Sequence, residues 1–411
     1  MTASRILVVA NTFPPVHGGS AVVYDSLGRF GGGRISVLAP KLDYRTGTPI
    51  PGWKAFDVEA PFPVHRLPLL RTYLSHHEGN RLRWAFERAR DLTIRIRLLR
   101  GIGGLVRSEQ VRVLCIGELV ASGWLARAAQ RLFGLTCVIY VHGEEATTET
   151  PYDRDGRRRR QALAAADGIV AVSVFTRDVL VARFGVARDK IALIRNGVDL
   201  QRFTPRPRRT DLVARYGLAN KRVLLTVGRL SARKGMDRVF ECLPALRRIC
   251  PDLVYLIVGE GPFRGALQSL AGRLGVAGSV VLAGDVPDEV LADHYALADV
   301  FIMANRTMPD GDTEGFGLVF LEANACGIPV IAGRDGGSAD AVTDGVNGLV
   351  IDGDDPAAIG ATVGRLLSDP HLCDLLRQQG LAVAGNSGWD RKVEAFLRYC
   401  DQLRDAATRR S

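Results

Sequence analysis

The sequence contains no stretch approaching the roughly 20 consecutive apolar residues that cross a bilayer, so a membrane-spanning helix is not expected. Its first apolar run, "RILVVA", is too short for a secretory leader and suits a buried first strand. No C-x-x-C pair occurs among the seven cysteines, at 115, 137, 242, 250, 326, 373 and 400. They are scattered in mostly apolar surroundings and read as reduced core residues of a cytoplasmic protein. Basic residues are not interleaved with aromatics and no recognition module is present, which argues against nucleic acid as a partner. Lysine is scarce, six of the 54 basic residues. A GC-rich genome accounts for arginine over lysine, but not for where the charge lies. Residues 1–200 hold 29 basic against 18 acidic side chains, and residues 201–411 hold 25 against 26. The formal excess of +10 therefore belongs to the first half.

What is present is a long, evenly mixed chain. With 411 residues, 47% hydrophobic and 24% charged, it exceeds one ordinary core and predicts two domains of roughly 200 residues. Two series of short apolar runs alternate with helix-period segments. The first comprises "RILVVA", "ISVLAP", "VRVLCIG", "TCVIYVHG" and "GIVAVS", separated by helical segments such as 81–100 and 157–166. The second comprises "RVLLTVGR", "LVYLIVGE", "SVVLAGD", "DVFIMA" and "PVIAG". Such runs indicate strands buried on both faces, hence parallel sheets. The expected fold class is α/β, with two Rossmann-like doubly wound domains, residues 1–200 and 201–388. Asn-Gly and two prolines within 195–209 mark the boundary, and Trp389 to Leu403 reads as an amphipathic helix. Ligands of open α/β sheets bind beyond the carboxyl ends of the strands. The loops after the strands, and a cleft between two such domains, are where chemistry is expected.

The loop "NTFPPVHGGS" places Gly18 and Gly19 ahead of a helix-period segment, Ala21 to Phe30. Backbone N–H groups at a helix start suit an anion, and a tight structural turn uses the same residues. In "VGRLSARKG", Arg229 is a planar fork and Lys234 a point charge, a pairing that suits a diphosphate. Two solvated surface charges are the plain alternative. "LIVGEGPFRG", 256–265, carries Gly259 and Gly261 in a G-x-G-x-x-x-G pattern. That is one residue off the dinucleotide fingerprint, although Asp285 follows at a suitable distance. Pro262 fits the first position of a helix equally well. His142 ends the strand "CVIYVHG", in a position either structural or catalytic.

The stretch "DGDTEGFGLVFLEANACG", 310–327, imitates the start of a calcium loop with Asp310, Asp312 and Glu314. Position twelve of such a loop must be a bidentate Glu. Counted from Asp310 it is Leu321, and Glu322 falls one too late. Helix signals place a helix from about Gly317 to just before Gly327. Glu314 then lies in the loop ahead of the helix, with Glu322 inside it. At about 1.5 Å rise per residue they stand roughly 10 Å apart, too far for one proton or metal and suited to two ends of an extended ligand.

Taken together, these residues resemble the retaining GT-B glycosyltransferases of family 4. The likeness runs from "FPPVHGG" through "NGVDLQRF", "GRLSARKG" and "GEGP" to "EGFGLVFLEANACGIPVIAG", and its specific part is the E-x7-E pattern with its upstream Arg and Lys. Around the glutamates it is similar to bacterial enzymes that mannosylate or glucosylate lipids and polysaccharide precursors, including the phosphatidylinositol mannosyltransferases. The resemblance implies that Arg229 and Lys234 hold the donor diphosphate, with the amides of Gly18 and Gly19 on the same phosphates. It implies Glu314 on the transferred sugar, Glu322 on the ribose, and the amides of Gly315, Phe316 and Gly317 capping sugar and phosphate. Gly259, Gly261 and Val286 fall near the base, and His142 at the sugar's edge. The final helix, within 389–411, is expected on the first domain, which would hold the acceptor. Asp340 departs from the Glu of many relatives, outside the donor pattern. No residue clearly fits a carboxylate nucleophile, which favours a same-face retaining route in which the leaving diphosphate helps deprotonate the acceptor. No metal or other cofactor is expected, because fixed cations stand in for one.

The acceptor domain is the basic half. Residues 81–100 carry apolar residues at 82, 85, 86, 89, 92, 96 and 99, with Arg83, Arg88, Arg90, Arg95 and Arg97 mostly on other faces. Such a helix suits an anionic membrane surface or is an ordinary solvated surface helix. A lipid, lipid-linked or polysaccharide-precursor acceptor leads, with GDP-mannose and UDP-sugars both open as donors. A non-hydrolysing sugar-nucleotide epimerase and a non-catalytic nucleotide-sugar binder are the rival readings.

Overall fold

The alternation of apolar runs with helix-period segments resolves into two all-parallel sheets. The structure, a computed structural model, describes residues 4–71, 81–150 and 153–409. One unit comprises Met1–Arg195 with Trp389–Ser411, the other Asn196–Gly388. In the first, strands β1 (Arg5–Val9), β2 (Ile35–Pro40), β3 (Val64–Leu67), β4 (Val111–Ile116), β5 (Thr136–Val141), β6 (Gly168–Ala171) and β7 (Ile191–Leu193) form a sheet ordered β3-β2-β1-β4-β5-β6-β7. Val8 pairs with Val37 on one side and Cys115 on the other. In the second, β8 (Arg222–Val227), β9 (Leu253–Val258), β10 (Val280–Gly284), β11 (Val300–Met303), β12 (Val330–Gly333) and β13 (Leu349–Ile351) are ordered β10-β9-β8-β11-β12-β13. The central strands are buried on both faces: Leu7, Leu114, Ile139 and Ile169 in one core, Leu224, Tyr255, Ile257 and Ile302 in the other. Each such side chain contributes about 1.5–3 kcal/mol relative to exposure.

Strand order reverses direction between β1 and β4 in the first unit and between β8 and β11 in the second. At such a reversal the connecting helices leave on opposite faces, opening a crevice beyond the strands' carboxyl ends. The loops at those ends carry Asn11–Gly19 and Gly117–Glu118 in one unit, and Gly228–Gly235 and Asn305–Gly317 in the other.

Three strands, β3, β7 and β13, lack the long apolar run by which the other ten are recognised. All three are sheet edges of three or four residues. An edge strand packs against one neighbour only, and β3 ("VHRL") is half-buried throughout. The helix Arg81–Glu109 runs nine residues beyond its expected end, and its buried face differs from the apolar stripe expected within 81–100. Ile94, Leu98 and Ile102 are buried, whereas Phe86, Leu92 and Ile96 are 70%, 58% and 42% exposed. The side chains of 81–85 lie outside the described residues. Pro262 does not start a helix: it sits in a turn, and the helix begins at Arg264.

The final helix, Trp389–Thr408, packs within the first unit. Its buried face is Trp389, Val393, Phe396 and Cys400. Phe396 lies 5.9 Å from the Tyr140 ring, and Arg34 grips Asp401 with two hydrogen bonds of 2.8 and 2.9 Å. Among the described residues no helix is long and apolar enough to cross a membrane. All seven cysteines are free; Cys250 and Cys373 are only half-buried.

Candidate active site

In the second unit the loop after β8 turns through a 3-10 segment, Ala232–Lys234, and enters the helix Met236–Ile249. This turn buries Lys234, whose Nζ lies 3.2 Å from Met303 Sδ and 3.4 Å from Glu314 Oε2. Arg233 Nη1 donates to the same oxygen at 2.6 Å, and its Nε lies 3.4 Å from Asp312. Burial acts to raise the Glu314 pKa, but Lys234 and Arg233 outweigh it and hold the carboxyl down at about 2. Burial lowers the Lys234 pKa, opposed by Glu314. Glu314 is therefore a fixed carboxylate, an acceptor only. Its Oε1 has no hydrogen-bond partner among the described residues. The backbone is fixed too, since Gly337 N–H donates to the Glu314 carbonyl at 2.7 Å.

The expected helix start is found: Gly317 caps the helix Leu318–Ala325, with Gly315 and Phe316 buried ahead of it. Glu322 lies within that helix, 8% exposed. Tyr295 Oη donates to its Oε2 at 2.7 Å, and Phe203 packs edge-on against the Tyr295 ring. Burial raises the Glu322 pKa, and the Tyr295 hydrogen bond opposes that rise. Its Oε1 also lacks a hydrogen-bond partner among the described residues. Each glutamate thus has one oxygen held by protein and the other open to a hydroxyl.

Arg229 is exposed and makes no ion pair among the described residues. The glycines of "GEGP" have a packing reason: a Cβ on Gly259 would lie 2.3 Å from Gly228 O, and one on Gly261 2.4 Å from Leu230 O. Gly259 N–H also donates to Gly284 O at 2.8 Å. The loops after β8, β9 and β10 are thereby drawn together, with half-buried Val286 beside them.

Gly18, Gly19 and His142 belong to the first unit. Gly18 has extended backbone (φ 164) and precedes the helix Gly19–Arg29. A Cβ there would meet only the Thr12 methyl, at 3.8 Å, so the fold alone does not demand glycine. His142 follows β5, its Nε2 2.6 Å from Tyr24 Oη and its backbone N–H donating to Glu145 at 2.9 Å. Burial lowers its pKa to about 3. Beyond β1, β3 and β4, Asn11 donates to Glu118 (2.7 Å) and Ser122 (2.8 Å), and Arg71 pairs with the other Glu118 oxygen. Asn11 Oδ1 is buried with no hydrogen-bond partner among the described residues.

Sequence reading missed Arg233, Tyr295, Tyr24 and the Asn11–Glu118–Arg71 group. Only Arg233 carried a signal, as a second cation beside Lys234.

Residues 58–202 match the family description "Glycosyltransferase Family 4", and residues 209–382 match "Glycosyl transferases group 1". The chain is 36% identical over 388 residues, 92% of each sequence, to the GDP-mannose-dependent alpha-(1-6)-phosphatidylinositol monomannoside mannosyltransferase of Mycolicibacterium smegmatis. It is 34% identical over 412 residues to the Mycobacterium tuberculosis enzyme of the same name, covering 98% of this chain and 100% of that one. It is 35% identical over 315 residues to a D-inositol 3-phosphate glycosyltransferase of Acidothermus cellulolyticus, covering 70% and 68%. Among solved structures, Anabaena HepE in complex with UDP and glucose is similar with a TM-score of 0.76 at 18% identity, covering 97% of this chain and 100% of that one. Sucrose-phosphate synthase from Thermosynechococcus elongatus gives 0.76 at 21%, covering 98% and 100%. The solved structures identify the GT-B fold alone; identity of about a third, sustained along almost the whole sequence, adds the chemistry, and the chain belongs to the family 4, group 1 glycosyltransferases as a sugar-nucleotide-dependent hexosyltransferase.

Proposed function

We propose that this hexosyltransferase moves a mannosyl group from GDP-mannose to a phosphatidylinositol mannoside, with retention at the anomeric carbon. The observation that carries the proposal is the near-full-length identity to two enzymes named for that donor and acceptor class. The shorter match to a D-inositol 3-phosphate glycosyltransferase shares with them an inositol phosphate in the named acceptor. A lipid-borne acceptor is favoured over a soluble one by the helix Arg81–Glu109. Phe86, Leu92 and Ile96 stand exposed on it among Arg88, Arg90, Arg97 and Arg100, a mixture that suits peripheral binding to anionic lipid at the inner face of the cytoplasmic membrane.

In this reading Arg229 and Lys234 take the donor diphosphate, joined by the amides of Gly18 and Gly19. Glu314 accepts from hydroxyls of the sugar through Oε1, and Glu322 from the ribose. Gly315 to Gly317 offer backbone N–H groups at a helix start, with Gly259, Gly261 and Val286 near the base and His142 at the sugar's edge. The nucleophile is an acceptor hydroxyl. As its bond to the anomeric carbon forms, the bond to the diphosphate oxygen breaks, and the hydroxyl proton passes to that departing oxygen. Arg229 and Lys234 stabilise the charge left on the diphosphate. The acceptor headgroup lies at the strand ends of the basic unit, near Asn11, Glu118 and Arg71.

The test incubates purified protein with GDP-mannose and vesicles containing phosphatidylinositol monomannoside. GDP release coupled to a lipid gaining one hexose, with an α-linkage by NMR, is the expected result. Turnover with UDP-sugars only would overturn the donor assignment. Isomerised donor in the absence of acceptor would identify an epimerase, and donor binding with no GDP release a non-catalytic binder.

A further inference from the structure

We propose that Tyr24 is a positioning residue: it fixes His142 as the neutral Nε2–H tautomer and leaves Nδ1 as a hydrogen-bond acceptor for a hydroxyl of the bound sugar. The second half of this statement rests on the reading of His142 as a sugar contact; the first half does not.

The inference follows from counting protons. A phenol has one. The Tyr24 hydroxyl donates it to the Gly117 carbonyl oxygen, which has no proton to give in return. The same phenol oxygen lies 2.6 Å from His142 Nε2. With the phenol proton committed, the short contact is a hydrogen bond only if Nε2 carries the hydrogen and donates. Which nitrogen of a histidine is protonated is ordinarily set by what the other atoms of its network can do, and here a carbonyl at the end of the chain decides it. In the neutral ring Nδ1 then holds the lone pair. It has no hydrogen-bond partner among the described residues.

The surroundings hold that arrangement. A Cβ on Gly117 would lie 2.6 Å from Tyr24 Oη and 2.8 Å from the Val9 carbonyl, so only glycine lets the phenol reach that carbonyl. Gly117 N–H is itself bonded to Val9 O at 2.9 Å, which locks the peptide to β1. The imidazole is stacked on Tyr140 (5.2 Å, 25°) and meets Tyr24 edge-on (5.3 Å, 80°). The titratable groups facing this cluster are Glu145, Cys115, Tyr140 and Glu118, with Glu144 near Glu145. Of these Glu145 touches His142, and it takes the backbone N–H rather than the ring. Among the described residues no carboxylate is hydrogen-bonded to the imidazole to favour its cation, and burial disfavours the cation further. A fixed, uncharged acceptor distinguishes a hydroxyl from a group without a hydrogen to donate, and does so equally across the physiological pH range.

The experiment is nitrogen NMR on protein labelled with 15N-histidine, free of ligand, with His142→Asn identifying the resonances. A protonated Nε2, an unprotonated Nδ1 and no titration between about pH 5 and 8 are expected. In Tyr24→Phe, which keeps the ring but removes the acceptor of the Nε2 hydrogen, the tautomers mix. An Nδ1–H tautomer or a cation at pH 7 in the unaltered protein would overturn the positioning role, whatever the enzyme's substrates. A second arm compares His142→Asn, whose Oδ1 occupies the place of Nδ1, with His142→Gln, whose amide reaches the place of Nε2. Asn should retain about tenfold more kcat than Gln at equal thermal stability. Equal rates with a normal NMR result would leave the tautomer standing and remove the sugar contact.

Discussion

Arg233 Nη1 lies 2.6 Å from Oε2 of Glu314, the oxygen that Lys234 Nζ approaches to 3.4 Å. Two adjacent cations therefore share one carboxylate oxygen, and Lys234 makes the longer contact. If Lys234 turns toward a donor phosphate, Arg233 keeps Glu314 ionised and in place. Arg233→Gln should lower kcat/KM by about 10- to 100-fold, the scale of one charge-assisted hydrogen bond. The sign of its pH effect is fixed. The two cations hold the Glu314 pKa at about 2, against burial, so removing one moves the acid limb of the pH–rate profile to higher pH. In the unaltered protein the same depressed pKa contributes stability above the ordinary carboxyl range, lost as pH falls toward 2. An acid limb that stays in place in the variant would contradict this role for Arg233.

Tyr295 and Glu322 give a second prediction. The Tyr295 hydrogen bond opposes the rise that burial imposes on the Glu322 pKa, so Tyr295→Phe raises that pKa further and weakens the carboxylate's hold on a ribose. GDP affinity by calorimetry should fall about tenfold at neutral pH, with kcat at saturating donor little changed. Glu322→Ala should likewise weaken donor binding more than it slows transfer. Unchanged GDP affinity in both variants would remove Glu322 from the ribose.

These two relationships also mark what was legible in the sequence. The ten strands with long apolar runs and the helix start at Gly317 follow from local pattern, because each is specified by residues next to one another. The edge strands β3, β7 and β13, of three or four residues each, are too short for a local signal. Tyr295 lies 27 positions from Glu322, and Arg233 lies 81 positions from Glu314. Nothing local distinguishes Tyr295 from a surface residue, Arg233 is marked only as a second cation beside Lys234, and only the fold brings them to the carboxylates. The stripe expected on 81–100 failed for a related reason. Apolar residues there exceed what one buried face accommodates, and packing selected Ile94 and Leu98 instead of Phe86 and Ile96.

Gly235 supplies a stability prediction. Its φ is +69°, and a Cβ would lie 1.9 Å from the Ala304 carbonyl oxygen. That oxygen is backbone at the end of β11 and cannot swing aside. Gly235→Ala should cost about 3 kcal/mol or more, lowering the melting temperature by more than about 6 °C. It should also reduce donor affinity, because the displaced turn carries Lys234. A melting temperature within about 2 °C of the unaltered protein would show that the turn relaxes.

The exposed face of the helix Arg81–Glu109 gives the last. Phe86, Arg90, Arg97 and Arg100 recur at spacings of four, seven and three and share one side, with Ile96 beside them. Each arginine near an anionic bilayer contributes about 1 kcal/mol of attraction. Replacing Arg90, Arg97 and Arg100 together with glutamine should therefore reduce partitioning onto phosphatidylinositol-containing vesicles by about 100-fold at low salt. Neutral phosphatidylcholine vesicles should bind both proteins weakly. Phe86→Ser with Ile96→Ser should weaken binding in a way that salt does not change, because the lost term is apolar burial. Activity toward a detergent-dispersed acceptor should survive both changes, since neither touches the residues at the strand ends. Equal sedimentation of all three proteins with anionic vesicles would place membrane contact elsewhere on the molecule.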